Sequence, residues 1–203
     1  MNAPAQQQIP GGVTRRKFMV SSAAGAFVLL FHVDGMTRAA AAAGLSKKAT
    51  EVGTWIRIAK DGTVTILIGS SEMGQGAMSG LAQILAEDLM VDWSHVRAEH
   101  APANAAFANP LFHFQLTGGS SSIRGYYATL RQAGATAREM LIAAAAKKWH
   151  VDPSACRASN GTVIGPNGRT IGYGKLAAKA AKMPVPSDPP LVADADLRYI
   201  GKV

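Results

Sequence analysis

Beyond residue 50 the apolar positions follow two rhythms, alternation over short runs and recurrence every three or four residues. Trp55-Ile56-Arg57-Ile58 alternates, Lys60-Asp61-Gly62 turns the chain, and Thr63 to Gly69 alternates again. An Asp-Gly between two alternating runs predicts a β-hairpin. Leu81, Ile84, Leu85, Leu89 and Met90 then recur at helical spacing, which predicts an amphipathic helix from near Gly76 to just before Asp92. Val96 to His100 reads as a strand, and residues 101–117, with Pro102, Asn104 and Pro110, read as a long irregular loop. Tyr126 to Trp149 is alanine-rich and interrupted only by Gly134. It predicts the longest helix, with Leu130, Ala133, Ala137, Met140, Leu141, Ala144 and Ala145 on its buried face and serines before it to cap it. Thr162-Val163-Ile164 and Arg169-Thr170-Ile171 flank Pro166-Asn167-Gly168 as a second hairpin, and Tyr173 to Ala181 reads as a short helix. The pattern predicts an α+β fold of mixed β-hairpin and helix layers. It divides into an α+β segment over 50–150, a small hairpin–helix unit over 151–182 and a Pro-rich linker over 183–203.

Residues 1–43 follow a different order. Arg15-Arg16-Lys17 precedes an apolar stretch from Val20 to Val33, and a small-residue tract from Ala39 to Ala43 follows. That is the order of a secretory signal. The pair Arg15-Arg16, with Phe18 behind it, marks the twin-arginine version. The apolar stretch is too short for a transmembrane helix and carries His32. The expectation is export by the twin-arginine translocase to the periplasm, with membrane contact only peripheral or through partners. The periplasmic face of the inner membrane is the expected site of any such contact. Because this route carries folded proteins, it points to a cofactor or partner acquired before export.

Charge and cysteine narrow the rest. Residues 1–43 hold four basic side chains against Asp34, so five of the eight net positive charges belong to the remainder. No basic stripe with interleaved aromatics is present, which argues against a nucleic-acid partner. Cys156 is the single cysteine and forms no internal disulfide framework; a packed apolar role is expected. His100 and His113 lack metal-ligand spacing, and no Ser-His-Asp set or carboxylate pair stands out, so no catalytic or metal residue is assigned. Two glycine-bearing loops each precede a helix, Met73-Gly74-Gln75-Gly76 and Thr117-Gly118-Gly119-Ser120-Ser121-Ser122. A helix N-terminus offers unpaired N–H groups and suits an anion. Gln75 has the donor and acceptor to read a ligand edge. Plain turn and cap roles stay open for both loops, and for Glu72 a loop-setting role stands beside that of a general base.

Taken in order, these residues resemble a known family. Glu72-Met73-Gly74-Gln75-Gly76, Ala86 to Leu89, Asp92-Trp93, Ala101-Pro102, Asn109-Pro110, Thr117 to Arg124, Leu130 to Ala135, Ala137 to Leu141 and Tyr173 to Leu176 are similar to the N-terminal part of xanthine-oxidase-type molybdenum hydroxylase large subunits. The likeness is to the molybdopterin-binding branch of isoquinoline 1-oxidoreductase beta subunits and membrane-bound aldehyde dehydrogenases. The resemblance implies part of a molybdenum-cofactor-binding domain, with the cofactor as molybdopterin cytosine dinucleotide. It implies that Gly74, Gln75 and Gly76 contact the pterin, and that Gly118, Gly119, Ser120, Ser121 and Ser122 border the same cofactor. It also implies an iron–sulfur small subunit and a cytochrome c subunit as partners, and oxidation of aldehydes or N-heterocycles by the complete enzyme. Family large subunits continue into a hammerhead domain and carry their glutamate base near the far C-terminus. This stretch is therefore expected to share its cofactor with a remainder of the enzyme and to be inactive alone. The alternative expectation is a truncated, inactive fragment that serves as a partner-binding scaffold.

Overall fold

A computed structural model of the chain describes residues 26–29 and 55–202. The first sheet has the order β1 (Ala26–Leu29), β2 (Ile56–Ala59), β3 (Val64–Ile68) and β4 (Val96–His100). β2 and β3 form the expected hairpin, with Ile56 opposite Ile66, and the Asp61 carboxylate accepts the Thr63 N–H at 2.9 Å across the turn. Ile56, Ile58, Val64 and Ile66 are buried, as the alternation requires. β3 continues through helix α1 (Ala77–Leu89) into β4, which lies parallel beside it from Val64–Val96 to Ile68–His100. Parallel neighbours need a crossover, and α1 is that crossover. The carboxyl ends of β3 and β4 therefore finish side by side, the place where α/β units leave a ligand crevice.

Helix α2 (Ser121–Trp149) packs along α1. Leu81, Ile84, Leu85 and Leu89 of α1 are buried, and so is every α2 position that the spacing places in the interior. Burying one leucine side chain fully is worth about 1.5–3 kcal/mol. Gly134 sets the closeness of the two helices: a Cβ there would lie 2.4 Å from the Leu85 carbonyl oxygen. α2 begins five residues before the predicted start at Tyr126. Ser121 and Ser122 therefore lie within its first turn rather than ahead of it, because their hydroxyls find partners in neighbouring loops.

A second sheet holds β5 (Arg157–Ser159), β6 (Thr162–Ile164) and β7 (Thr170–Gly172), and helix α3 (Tyr173–Ala180) follows directly. β6 and β7 are the expected second hairpin; β5 is an additional strand. Val163, Ile171, Tyr173, Leu176 and Ala177 join the same continuous core as the first sheet. The Tyr173 hydroxyl donates to the Leu89 carbonyl at 2.8 Å, and complete burial pushes its phenol pKa upward. The architecture is α+β, as the pattern predicts.

Residues 183–202 carry little regular structure, yet they are held as a strap rather than as a free linker. Glu87 and Asp88 are fully buried at the end of α1. Buried carboxylates require partners. Asp88 accepts the Arg131 guanidinium at 2.6 Å and the Val192 N–H at 2.7 Å. Glu87 accepts the backbone N–H groups of Arg198, Tyr199 and Ile200 at 2.8, 2.7 and 3.2 Å. Arg138 bridges the Asp88 and Pro190 carbonyls.

Arg15, Arg16 and the Ala39–Ala43 tract lie outside the described residues. Ala26–Leu29, inside the apolar stretch expected to belong to the leader, pairs with β2 in the register Ala26–Ala59 to Leu29–Ile56. Among the described residues no helix is long and apolar enough to cross a membrane.

Candidate functional site

β3 ends at Ile68, and the next residue admits no side chain. A Cβ on Gly69 would lie 2.6 Å from the Phe107 carbonyl oxygen and 2.7 Å from the Tyr126 hydroxyl. That hydroxyl donates to the Phe107 carbonyl at 2.7 Å, and burial pushes its pKa up to about 12. Trp55 stands edge-on to both rings, with centroids 5.1 Å from Phe107 and 5.9 Å from Tyr126. This buried aromatic knot joins the end of β3, the 101–117 loop and the first turns of α2, and so fixes the floor on which both glycine loops stand.

The first loop closes on itself. One Glu72 carboxylate oxygen accepts the N–H groups of Gly74 and Gly76 at 2.8 and 3.0 Å, and the other accepts the Met78 N–H at 2.8 Å. The Met78 bond first, then the Gly76 bond, holds its carboxyl below the usual glutamate range. A strongly bonded, acidified carboxylate is a poor general base at neutral pH, so the loop-setting role prevails for Glu72. Gln75 folds inward as well: its side-chain oxygen accepts the Met73 N–H at 2.6 Å and its amide donates to the Ser71 carbonyl at 2.8 Å. The anion site expected at the N-terminus of α1 is thus taken by the chain's own carboxylate. Gly74 and Gly76 have φ of 90° and 76°, and no atom would meet a Cβ on either within 4 Å, so their outer faces are open to a ligand.

The second loop is arranged differently. Ser120 occupies the cap position of α2 with a left-handed φ of 52°, and its side chain makes no cap hydrogen bond. Ser121 is buried; its hydroxyl donates to the Gly118 carbonyl at 2.7 Å, and the buried Asn109 amide donates to the Ser121 carbonyl at 3.2 Å. No acceptor among the described residues takes the N–H of Ser122 or Ile123. A Cβ placed on Gly118 or Gly119 would meet no atom within 4 Å, which leaves a backbone approach from solvent. At the start of α1 the N–H groups of Ala77 and Ser79 likewise have no acceptor among the described residues, but the Glu72 carboxylate already sits there, so of the two helix N-termini that of α2 is the one without an anion of its own.

A hydroxyl cluster ties the loops together. Buried Ser70 bonds Thr117 Oγ1 at 3.0 Å and Ser122 Oγ at 2.6 Å, and Thr117 Oγ1 accepts the Ser71 N–H at 2.7 Å. Beside it a cleft of about 440 Å³ opens at the carboxyl ends of β3 and β4, lined by Ser70, Ser71, Met73, His100, Gln115 and Thr117 among others. All eight predicted cofactor residues therefore fall in two neighbouring loops and the first turn of α2. Ser70, Thr117 and Asn109 complete the arrangement; the Ser70-Ser71 pair ahead of the first glycine loop is the sequence signal for the first of them.

Elsewhere, His100 lies exposed at the cleft, His113 and His150 are exposed, and no group of His, Cys, Asp or Glu among the described residues could hold a metal ion. Cys156 is half-buried rather than packed away, and burial raises its thiol pKa, with Asp152 adding to the effect.

The profile of a molybdopterin cofactor-binding domain matches residues 25–199. Isoquinoline 1-oxidoreductase subunit beta of Brevundimonas diminuta is 37% identical over 133 residues, covering 64% of this chain and 17% of that protein. The membrane-bound aldehyde dehydrogenase of Gluconacetobacter polyoxogenes, whose name carries pyrroloquinoline-quinone, is 30% identical over 165 residues, covering 75% of this chain and 21% of that protein. The chain thus spans about a fifth of the length of these relatives. Among solved structures, quinoline 2-oxidoreductase from Pseudomonas putida 86 is 20% identical over 64% of this chain and 16% of that one, with a TM-score of 0.47.

Proposed function

The chain belongs to the molybdopterin cofactor-binding domain family, and from this premise we propose that it forms the N-terminal cofactor-binding part of a periplasmic molybdenum hydroxylase that oxidises aldehydes or N-heterocycles. The observation that carries the reading is the Ser70–Thr117–Ser122 hydroxyl cluster, which brings both glycine loops to one edge of the sheet. The donor set fits the group: hydroxyls, backbone N–H groups and open glycine faces, with no carboxylate among the described residues bonded at the start of α2. Gly118, Gly119, Ser120 and the Ser122 N–H would hold a phosphate of the cofactor. Gly74 and Gly76 would offer flat backbone to the pterin, with the remaining Gln75 amide hydrogen at its edge. Ser121, buried and bonded to Gly118, would position that backbone rather than touch the ligand. When bound, the molybdenum cofactor supplies two-electron oxidation of an electron-poor carbon.

The form proposed is molybdopterin cytosine dinucleotide, with an iron–sulfur small subunit and a cytochrome c subunit as electron-transfer partners. Export by the twin-arginine translocase through Arg15 and Arg16 accounts for loading before translocation. A second reading, a surface that serves only to bind partner chains, is favoured by exposed Met73, Leu111, Phe112 and Phe114, at 70%, 47%, 37% and 57% exposure.

Purification of the chain with its co-expressed partners, followed by metal analysis and acid release of nucleotide, tests the first reading. Molybdenum and cytidine monophosphate in equal amounts are expected. Intact complex without either, or with pyrroloquinoline quinone in their place, overturns it; intact complex without any cofactor leaves the scaffold reading in possession. Replacing Arg15 and Arg16 by lysine should hold the protein in the cytoplasm, measured by fractionation.

A further inference from the structure

The opposite end of α2, about 40 Å along a 29-residue helix from the serine loop, carries a second feature. Lys147 and Lys148 lie in the last turn of α2, Lys179 in the last turn of α3, and Lys182 just beyond it. With Ala144 and Met183 they line one groove of about 300 Å³. All four lysines are exposed or half-exposed, and among the described residues no carboxylate forms a salt bridge with any of them. The bland role of terminal lysines is to offset the helix dipole. Each helix end supplies roughly half a negative charge, so four lysines leave a net of about three positive charges around the groove. The floor is apolar, made of half-buried Met183 and the aliphatic lysine stems, with Ala144 buried beneath them.

Each half of this lining selects against a different ligand. A bare inorganic anion would leave the floor in contact with water, and an uncharged apolar molecule would leave the rim charges unanswered. The volume lies at the lower end of small-molecule sites. We propose that the groove binds a small organic dicarboxylate with an apolar body, its carboxylates among Lys147, Lys148, Lys179 and Lys182 and its body over Met183 and the lysine stems. This site is separate from the cofactor loops and does not depend on the reading given to them.

Lysine footprinting on the full chain tests it, with acetylation rates followed residue by residue by mass spectrometry. The probe is naphthalene-2,6-dicarboxylate. Its Kd is expected at about 1 mM, the weak end of small-molecule affinity. At a concentration five times that Kd, modification of the four lysines should then slow about sixfold, while Lys60 and Lys175, which lie outside the groove, should be unaffected. The charge reversals K147E and K179E together, with an unchanged circular dichroism spectrum, should cut the protection at Lys148 and Lys182 to less than about twofold. No protection of the wild-type chain overturns the proposal. So does equal protection by inorganic phosphate, which would mark a mere cation cluster. Protection by an acidic peptide but not by the naphthalenedicarboxylate overturns it in favour of a protein partner.

Discussion

The two long helices start in opposite ways. Helix α1 begins beneath Glu72, whose carboxylate takes the N–H groups of Gly74, Gly76 and Met78. Helix α2 begins with no side-chain cap on Ser120, and the N–H groups of Ser122 and Ile123 have no acceptor among the described residues. Both have the same outline in sequence, a glycine-bearing loop before an apolar-periodic run, and by that outline both suit an anion. A glycine loop and a helix dipole make an anion site only where the chain has not supplied its own anion. The first loop therefore offers backbone faces and one side-chain amide, whereas the second offers charge complementarity.

The contrast is disturbed most severely at Gly125. A Cβ there would lie 2.2 Å from the side-chain oxygen of Asn109, which is buried and has no room to retreat. Gly125→Val should destabilise the fold by about 3 kcal/mol or more, read as a drop in urea midpoint, because it unseats the start of α2 alone. A smaller effect is expected from Ser70→Ala, which cuts the link between the loops: about 1–2 kcal/mol. In a double-mutant cycle with Ser122→Ala, a coupling of about 0.5–1 kcal/mol would show that the loops act as one unit, and strict additivity would separate them.

Acid should act on the first loop selectively. The Glu72 carboxyl lies below its ordinary value of about 4.5, so its contribution to stability is complete above that pH and is lost as pH falls through the lower folded value. Urea midpoints followed below pH 5 should fall less steeply in Glu72→Gln than in the parent, the other carboxylates being common to both. The smallest expected change in stability is that of Ser120→Ala, within about 0.5 kcal/mol, since this hydroxyl makes no cap bond. The same variant in the assembled enzyme should lower molybdenum content; unchanged content would remove Ser120 from the cofactor contacts.

Much of this is legible from the chain. The Asp61-Gly62 hairpin, the α1 and α2 core faces, the Pro166-Asn167-Gly168 hairpin and both glycine loops follow from periodicity and turn chemistry, which act over a few residues. What escapes a sequence reading involves partners far away along the chain. Nothing local says that Ser122 bonds a serine 52 residues upstream. Serine favours the cap role, so the serines before α2 read as caps; their actual partners are Ser70, Asn109 and Gly118. Composition alone makes the Pro-rich stretch past Met183 a linker, yet Glu87 and Asp88 hold it from more than 100 residues away.

The chain's local chemistry is enough to say which residues prefer helix or strand, which faces are apolar and where the backbone must turn, and it holds the ordered motifs that carry the family resemblance. Those are properties of short windows, set by backbone sterics and side-chain hydrophobicity. Two outcomes came only with the packed molecule: β4 lies parallel beside β3, and both glycine loops meet at one sheet edge. Each of them depends on hydrogen-bond partners and close contacts supplied by distant segments, and only the formation of the core brings those segments together.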